Sequence, residues 1–208
     1  MPKLENRFLE TEDVTEIRSG EGEEEQRFVS GVGIVYDKEV EIWPGFREKI
    51  RQGAFTDALS AGSEIKSYFN HRADYVLSTT KSTPALELED TSKGLRFKSP
   101  IPPTSYGKDL MINLERKNVR GASFAFTVDE EGDTVTRDEK GVYHREIVKA
   151  NLFEIGPVTN PAYPSTKVGL RSEEDLRAEM ETRCKKEDVP ANNNNLRSMR
   201  LKLTERGL

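Results

Sequence analysis

Apolar residues recur every second position through much of this chain, and helical spacing is confined to a few segments. In "RFVSGVGIVYD", Phe28, Val32, Ile34 and Tyr36 alternate with small or polar neighbours, which predicts a strand over 27–36. A weaker strand is expected within 6–18, joined to it by the Gly/Glu-rich turn "SGEGEEE". "EIKSYFNH" predicts a strand leading to His71. "LELEDTSKGLRFKSPI" predicts a hairpin in which Leu86 and Leu88 face Leu95 and Phe97 across a Lys93–Gly94 turn. Further strands are expected over 119–128, 134–138 and 142–158, the last ending at "GPVTNPAYPST", where three prolines terminate regular structure.

Two segments carry helical spacing instead. "FREKIRQGAFTDALSAG" places Phe46, Ile50, Phe55 and Leu59 on one stripe, and "TSYGKDLMINLERKN" does the same with Tyr106, Leu110 and Leu114. Strands and helices do not alternate as βαβ units. The expected class is therefore α+β, with a mainly antiparallel, β-barrel-like core and a few helices. Residues 1–170 form the expected body. Residues 171–208 are expected to be a mobile tail with a charged helix, the Asn-rich linker "PANNNN" and a basic end.

Charge and cysteine content narrow the function classes. The 208-residue chain has a formal charge of −5, which argues against nucleic acid as a partner, because phosphate binding needs a basic face. Residues 1–26 hold nine acids and three bases, a net of −6, while 191–208 hold Arg197, Arg200, Lys202 and Arg206 against Glu205. Cys184 is the single cysteine, so neither an intramolecular disulfide nor a cysteine–histidine metal cluster is expected. No apolar run approaches the length of a membrane span and no signal-peptide pattern appears, so a cytosolic location is expected.

The chemistry-bearing candidates lie in and around "VRGASFAFTV". Period-2 alternation puts Val119, Gly121, Ser123, Ala125 and Thr127 on one face and Phe124 and Phe126 on the other. A serine flanked by such small residues has room beside it. "GASFA" misses the nucleophile-elbow pattern and sits within a strand, which excludes an α/β-hydrolase, and no glycine motif here opens a helix as a dinucleotide fingerprint does. A serine hydroxyl needs a base to become a nucleophile, and the chain has two histidines, His71 and His144. Glu154, a carboxylate inside the apolar run "LFEIGPV", needs a partner if buried. Each also has an ordinary structural reading: Ser123 as a packing residue, His71 as a hydrogen-bonded strand end, Glu154 as an edge residue or a partner of Arg120.

A resemblance bears on that choice. "FREKIRQGAF", "FNHRADYVLSTT", "LELEDTSKGLRFKSPI…SYGKDLMINLERKNVRGASFAF" and "LFEIGPVTNPAYPSTKVGLRS" occur in the order and spacing of the tailed-bacteriophage prohead serine protease family. The likeness runs from about residue 25 to 171, and the family is distantly similar to the herpesvirus capsid-maturation protease, assemblin. The resemblance implies a herpesvirus-protease-like fold and a serine endopeptidase with His71, Ser123 and Glu154 as its triad. His144 is the alternative third member, since the herpesvirus relatives use a second histidine. Two positions depart from the family pattern: Ala125 stands where glycine is frequent, and Arg72 where aspartate follows the histidine.

The resemblance further implies action inside the immature capsid, the prohead, in the bacterial host cytoplasm, without a cofactor. The implied substrates are scaffold protein or a scaffold-like segment of the major capsid protein, and the protease itself; a weak homo-oligomer is expected. The competing class is a non-catalytic capsid assembly protein that keeps the protease fold. Contact between His71 and Ser123 separates the two.

Overall fold

The computed structural model describes residues 4–10, 15–19, 26–159 and 178–184. The strands in chain order are β1 (Glu5–Glu10), β2 (Thr15–Ser19), β3 (Gln26–Val35), β4 (Val40–Trp43), β5 (Phe46–Ile50), β6 (Lys66–Tyr68), β7 (Val76–Thr79), β8 (Glu87–Asp90), β9 (Gly94–Pro100), β10 (Gly121–Thr127), β11 (Asp133–Arg137), β12 (Tyr143–Ile147) and β13 (Asn151–Val158). Helix α1 (Thr56–Ser60) follows β5, α2 (Ser105–Glu115) follows β9, and 178–184 is a further helical stretch. By its internal contacts the chain divides into Met1–Ser172 and Glu173–Leu208, and of the second unit only 178–184 is described. The expected linker and basic C-terminal segment lie outside the described residues.

The fold is mixed α+β and mostly strands, but no closed barrel forms among the described residues. The strands make three sheets in the orders β1-β10-β13-β6-β7, β11-β12-β5-β4 and β2-β3-β9-β8. A barrel needs one unbroken hydrogen-bonded ladder returning to its first strand. The sheets containing β10 and β3 instead pack against each other. At Gly33 of β3 a Cβ would lie 2.3 Å from Ile155 Cδ1 of β13, so a side chain there would have to displace the Ile155 side chain between the two sheets. Pairing is mainly antiparallel, with two parallel exceptions, β12 with β5 and β13 with β6.

Aromatic side chains fill the space between the layers. Phe55 meets Phe124 and Phe126 edge-on, with ring centroids 6.4 and 6.3 Å apart, near right angles. Phe97, Leu95, Ile155 and Leu110 are buried with them in one cluster. Removing a ring such as that of Phe126 would cost about 3–5 kcal/mol, because so close-packed a site collapses poorly.

One predicted helix begins as a strand. Phe46–Ile50 is β5, and only Thr56–Ser60 of that segment is helical. Phe46 and Ile50 are four residues apart, a separation that satisfies both the helical and the alternating period. Pairing decides it, because β5 lies between β12 and β4 in one sheet. The other helix is as expected: Leu110 and Leu114 are buried, and the Thr104 side chain caps the first turn by accepting from the Gly107 N–H at 3.2 Å.

Candidate active site

The serine strand β10 lies between β1 and β13, and the register fixes what shares its faces. Phe8, Ser123 and Gly156 stand in one cross-strand row, and Asn6, Ala125 and Glu154 stand in the next on the same face. Phe124 and Phe126 point the other way, into the core, as their alternation predicts. The expected open space beside Ser123 is filled, however. Every residue of β10 is buried, Ser123 is 3% exposed, and its Oγ lies 2.9 Å from the Arg7 carbonyl oxygen of β1. The neighbouring strand takes up the room that the small side chains leave.

Glu154 reaches that face because β13 is irregular. Ala125 pairs with Glu154 but Phe126 pairs with Leu152, so Phe153 is an extra residue in β13. A bulge of this kind interrupts alternation and re-aims the side chains on either side of it. Leu152 and Ile155 enter the core, Phe153 is exposed, and Glu154 faces the serine side.

His71 comes from the turn that follows β6. This strand runs parallel to β13, with Lys66 beside Glu154, and so delivers the turn to the Ser123 row. The His71 Nδ1 lies 2.8 Å from Glu154 Oε1, and its Nε2 is in hydrogen-bonding contact with Ser123 Oγ. A neutral imidazole carries one N–H. With the carboxylate at Nδ1, that proton belongs there, so Nε2 can only accept, and the single Ser123 hydroxyl proton is directed either to Nε2 or to the Arg7 carbonyl. The structure thus brings together Ser123, His71 and Glu154, and the side chains of His71 and Glu154 stay 25% and 14% exposed. His144 is elsewhere. Its Nδ1 meets Glu39 Oε1 at 2.8 Å and its Nε2 meets Asp138 Oδ2 at 3.4 Å, and the hydrogen bond to Glu39 chiefly raises its pKa.

The loop carrying His71 is held by several contacts. The Phe69 N–H donates to Tyr75 O at 3.1 Å, Arg72 N–H to Phe69 O at 3.2 Å, and Tyr75 N–H to Arg72 O at 2.8 Å. Arg72 pairs with Asp74 through both Nε and Nη2 and lies 4.0 Å above the Tyr75 ring. Tyr75 in turn stacks between Phe69 and Tyr106. Arg72, one of the departures from the family pattern, therefore braces the loop.

Beneath β1 lies a buried charge network that sequence reasoning missed. Arg145 binds Asp133 Oδ2 at 2.5 Å through Nε, and both Glu5 oxygens, at 2.6 and 2.9 Å, through Nη1 and Nη2. Arg7 grips Glu48 at 2.5 and 2.7 Å and reaches Glu5 at 2.8 Å. Burial acts against the Arg145 charge, but Glu48, Glu5 and Asp133 together outweigh it and raise its pKa. The network fastens β1 to β5, β11 and β12. The signal available in sequence was the alternation Phe46–Glu48–Ile50, which puts an acid on a core-facing position.

Among the described residues no group of three or more His, Cys, Asp or Glu side chains is placed to hold a metal, and no helix is long and apolar enough to cross a membrane. A serine, an imidazole and a carboxylate in hydrogen-bonded series form the constellation of nucleophilic serine chemistry. The chain belongs to the caudovirus prohead serine protease family, whose pattern matches residues 13–181. The solved structure of the bacteriophage T4 capsid assembly protease, gp21, is similar with a TM-score of 0.53 at 9% identity, over 77% of this chain and 99% of that one. At that identity the likeness concerns the fold. No curated protein matches the chain.

Proposed function

We propose that this chain is a serine endopeptidase of prohead maturation, with Ser123 as nucleophile, His71 as general base and acid, and Glu154 as the group that orients the imidazole. The observation that carries the reading is the placement of His71 between Ser123 Oγ and Glu154 Oε1. Ser123 attacks the scissile carbonyl while Nε2 takes the hydroxyl proton, and Glu154 supports the imidazolium that forms. The same proton passes to the leaving amine. A water, deprotonated in its turn by His71, then hydrolyses the acyl-enzyme. No cofactor enters this scheme.

Family membership supports capsid proteins as substrates and the prohead as the place of action. The finer reading is cleavage of scaffold protein, or of a scaffold-like segment of the major capsid protein, and of the protease itself. Backbone of the chain already reaches the nucleophile, since Arg7 O lies 2.9 Å from Ser123 Oγ. Residues 1–170 act as the protease domain and 171–208 as a tail that binds scaffold or capsid protein. A herpesvirus-protease-like fold and weak homo-oligomerisation complete the proposal.

The test is co-expression with the cognate capsid and scaffold proteins, followed by mass spectrometry of the cut ends. Wild type should generate new termini that Ser123→Ala does not. Full processing by Ser123→Ala would overturn the reading in favour of a non-catalytic assembly protein.

A further inference from the structure

The turn that carries His71 has an unusual backbone. Asn70 and His71 both sit in the left-handed region, with φ of 56° and 57°. Residues with a Cβ seldom adopt this region, and two in succession need support from their surroundings. Asparagine tolerates it better than most, because its short amide can bond locally.

That support comes from the end of β13. The Asn70 N–H donates to Pro157 O at 3.1 Å. Its side-chain Oδ1 accepts from the Thr159 N–H at 2.8 Å and from the Thr159 hydroxyl at 3.2 Å. One residue before Pro157, the backbone of Tyr68 crosses Gly156 so closely that a Cβ there would lie 2.4 Å from Tyr68 O. A side chain at 156 would therefore push away the strand that leads into the turn.

Each of these contacts falls on the strand that already carries Glu154 or on Thr159, the residue just after it, and Gly156 is the cross-strand partner of Ser123. A single strand thus sets the imidazole against its carboxylate through Glu154 and against the serine row through Gly156. It sets the turn itself through Pro157 and Thr159. We infer that Asn70 is a positioning residue for His71, and that its side-chain amide, tied to Thr159, holds Nε2 at the Ser123 hydroxyl. The inference rests on Ser123 and His71 acting as nucleophile and base. A displacement of His71 of about 1 Å is enough to cost roughly 100-fold in reactivity.

The test uses the full chain and a fluorophosphonate, which labels a serine only when a base takes its proton. Labelling of wild type that disappears in Ser123→Ala establishes the nucleophile, and absence of labelling in wild type would sink the proposed function itself. Given labelling, Asn70→Gly is the informative variant, because glycine adopts the left-handed conformation freely and only the tether is lost. Its labelling rate should fall roughly 100-fold while its melting temperature stays near wild type. Thr159→Val, which removes only the hydroxyl half of the tether, should lose a smaller factor. Asn70→Asp keeps both the acceptor and the tolerance of positive φ, so it should restore most of the rate. Its added carboxylate favours the charged imidazole, so the pH profile should move to higher pH. Labelling of Asn70→Gly and Thr159→Val at the wild-type rate would overturn the inference, as would equal losses in Asn70→Gly and Asn70→Asp.

Discussion

Leu152 and Glu154 are two residues apart on β13, yet Leu152 packs in the core while Glu154 hydrogen-bonds His71 on the opposite face of the sheet. Strict alternation would put both on one side. The extra residue between them, Phe153, lets one short strand serve core and candidate site at once.

Deleting Phe153 should therefore leave both faces in place. The deletion makes Leu152 and Glu154 neighbours, and plain alternation then keeps Leu152 opposite Phe126 and Glu154 opposite Ala125. Exposing Leu152 would cost about 2–5 kcal/mol, so urea unfolding should show no loss of that size. Phe153→Ser keeps the bulge and alters an exposed side chain, so it should stay within about 0.5 kcal/mol of wild type. A drop as large as that of an exposed leucine in the deletion would contradict this register.

Glu154→Gln should leave the fold intact and slow peptide cleavage by about 10²–10⁴-fold. An amide can donate as well as accept, so Nδ1 need no longer hold the proton and Nε2 need no longer present its lone pair to Ser123. Turnover of a cleaved capsid-protein peptide, with circular dichroism as the control for folding, checks this. Wild-type turnover would remove Glu154 from the triad.

Arg145→Met should lower stability by about 3–5 kcal/mol, the usual effect of removing one partner from a buried ionic group. Arg7 would still reach Glu5 and Glu48, but the hydrogen bond from Arg145 to Asp133 would be lost. Because the network fastens β1, hydrogen exchange at the β1–β10 ladder should speed up in this variant. Unaltered exchange there would show that β1 is held by its ladder alone.

His144 gives a pH-dependent contribution whose sign follows from its raised pKa. The hydrogen bond to Glu39 is the main cause, and the pKa of Glu39 is in turn lowered chiefly by accepting from His144, so the pair is charged in mildly acidic solution. A raised folded-state pKa stabilises fully below the unfolded value of about 6.5, and the gain is lost as pH rises through the folded value. Wild type should therefore melt above His144→Gln near pH 5.5, and the gap should close by about pH 9. The site is exposed, so the gap should be small. A gap that grows with pH would contradict the assignment.

Much of this protein is legible in its sequence because two local physical rules act strongly on it. Alternation placed Phe124 and Phe126 in the core opposite Ser123, and the hairpin pattern set Leu88 across from Phe97. The spacing of Tyr106, Leu110 and Leu114 marked a helix with a buried stripe. The ordered motifs singled out His71, Ser123 and Glu154 without their coordinates.

Other features depended on partners distant in the chain. Phe46 and Ile50 fit two periods equally well, and pairing with β12 and β4 made the segment a strand. Glu48 reads as a surface acid until Arg7 and Arg145 close on it from β1 and β12. The covered face of Ser123 follows from β1 lying alongside, which the small residues of "GASFA" permit but do not specify. Sequence by itself determined which side chains could do chemistry and which face of β10 Ser123 occupies, because propensity and alternation are local. Only the tertiary structure decided that Nδ1 meets Glu154 and Nε2 meets Ser123. That geometry depends on a bulge in β13, a parallel strand β6 and a left-handed turn tied to Thr159, and each exists only through long-range pairing.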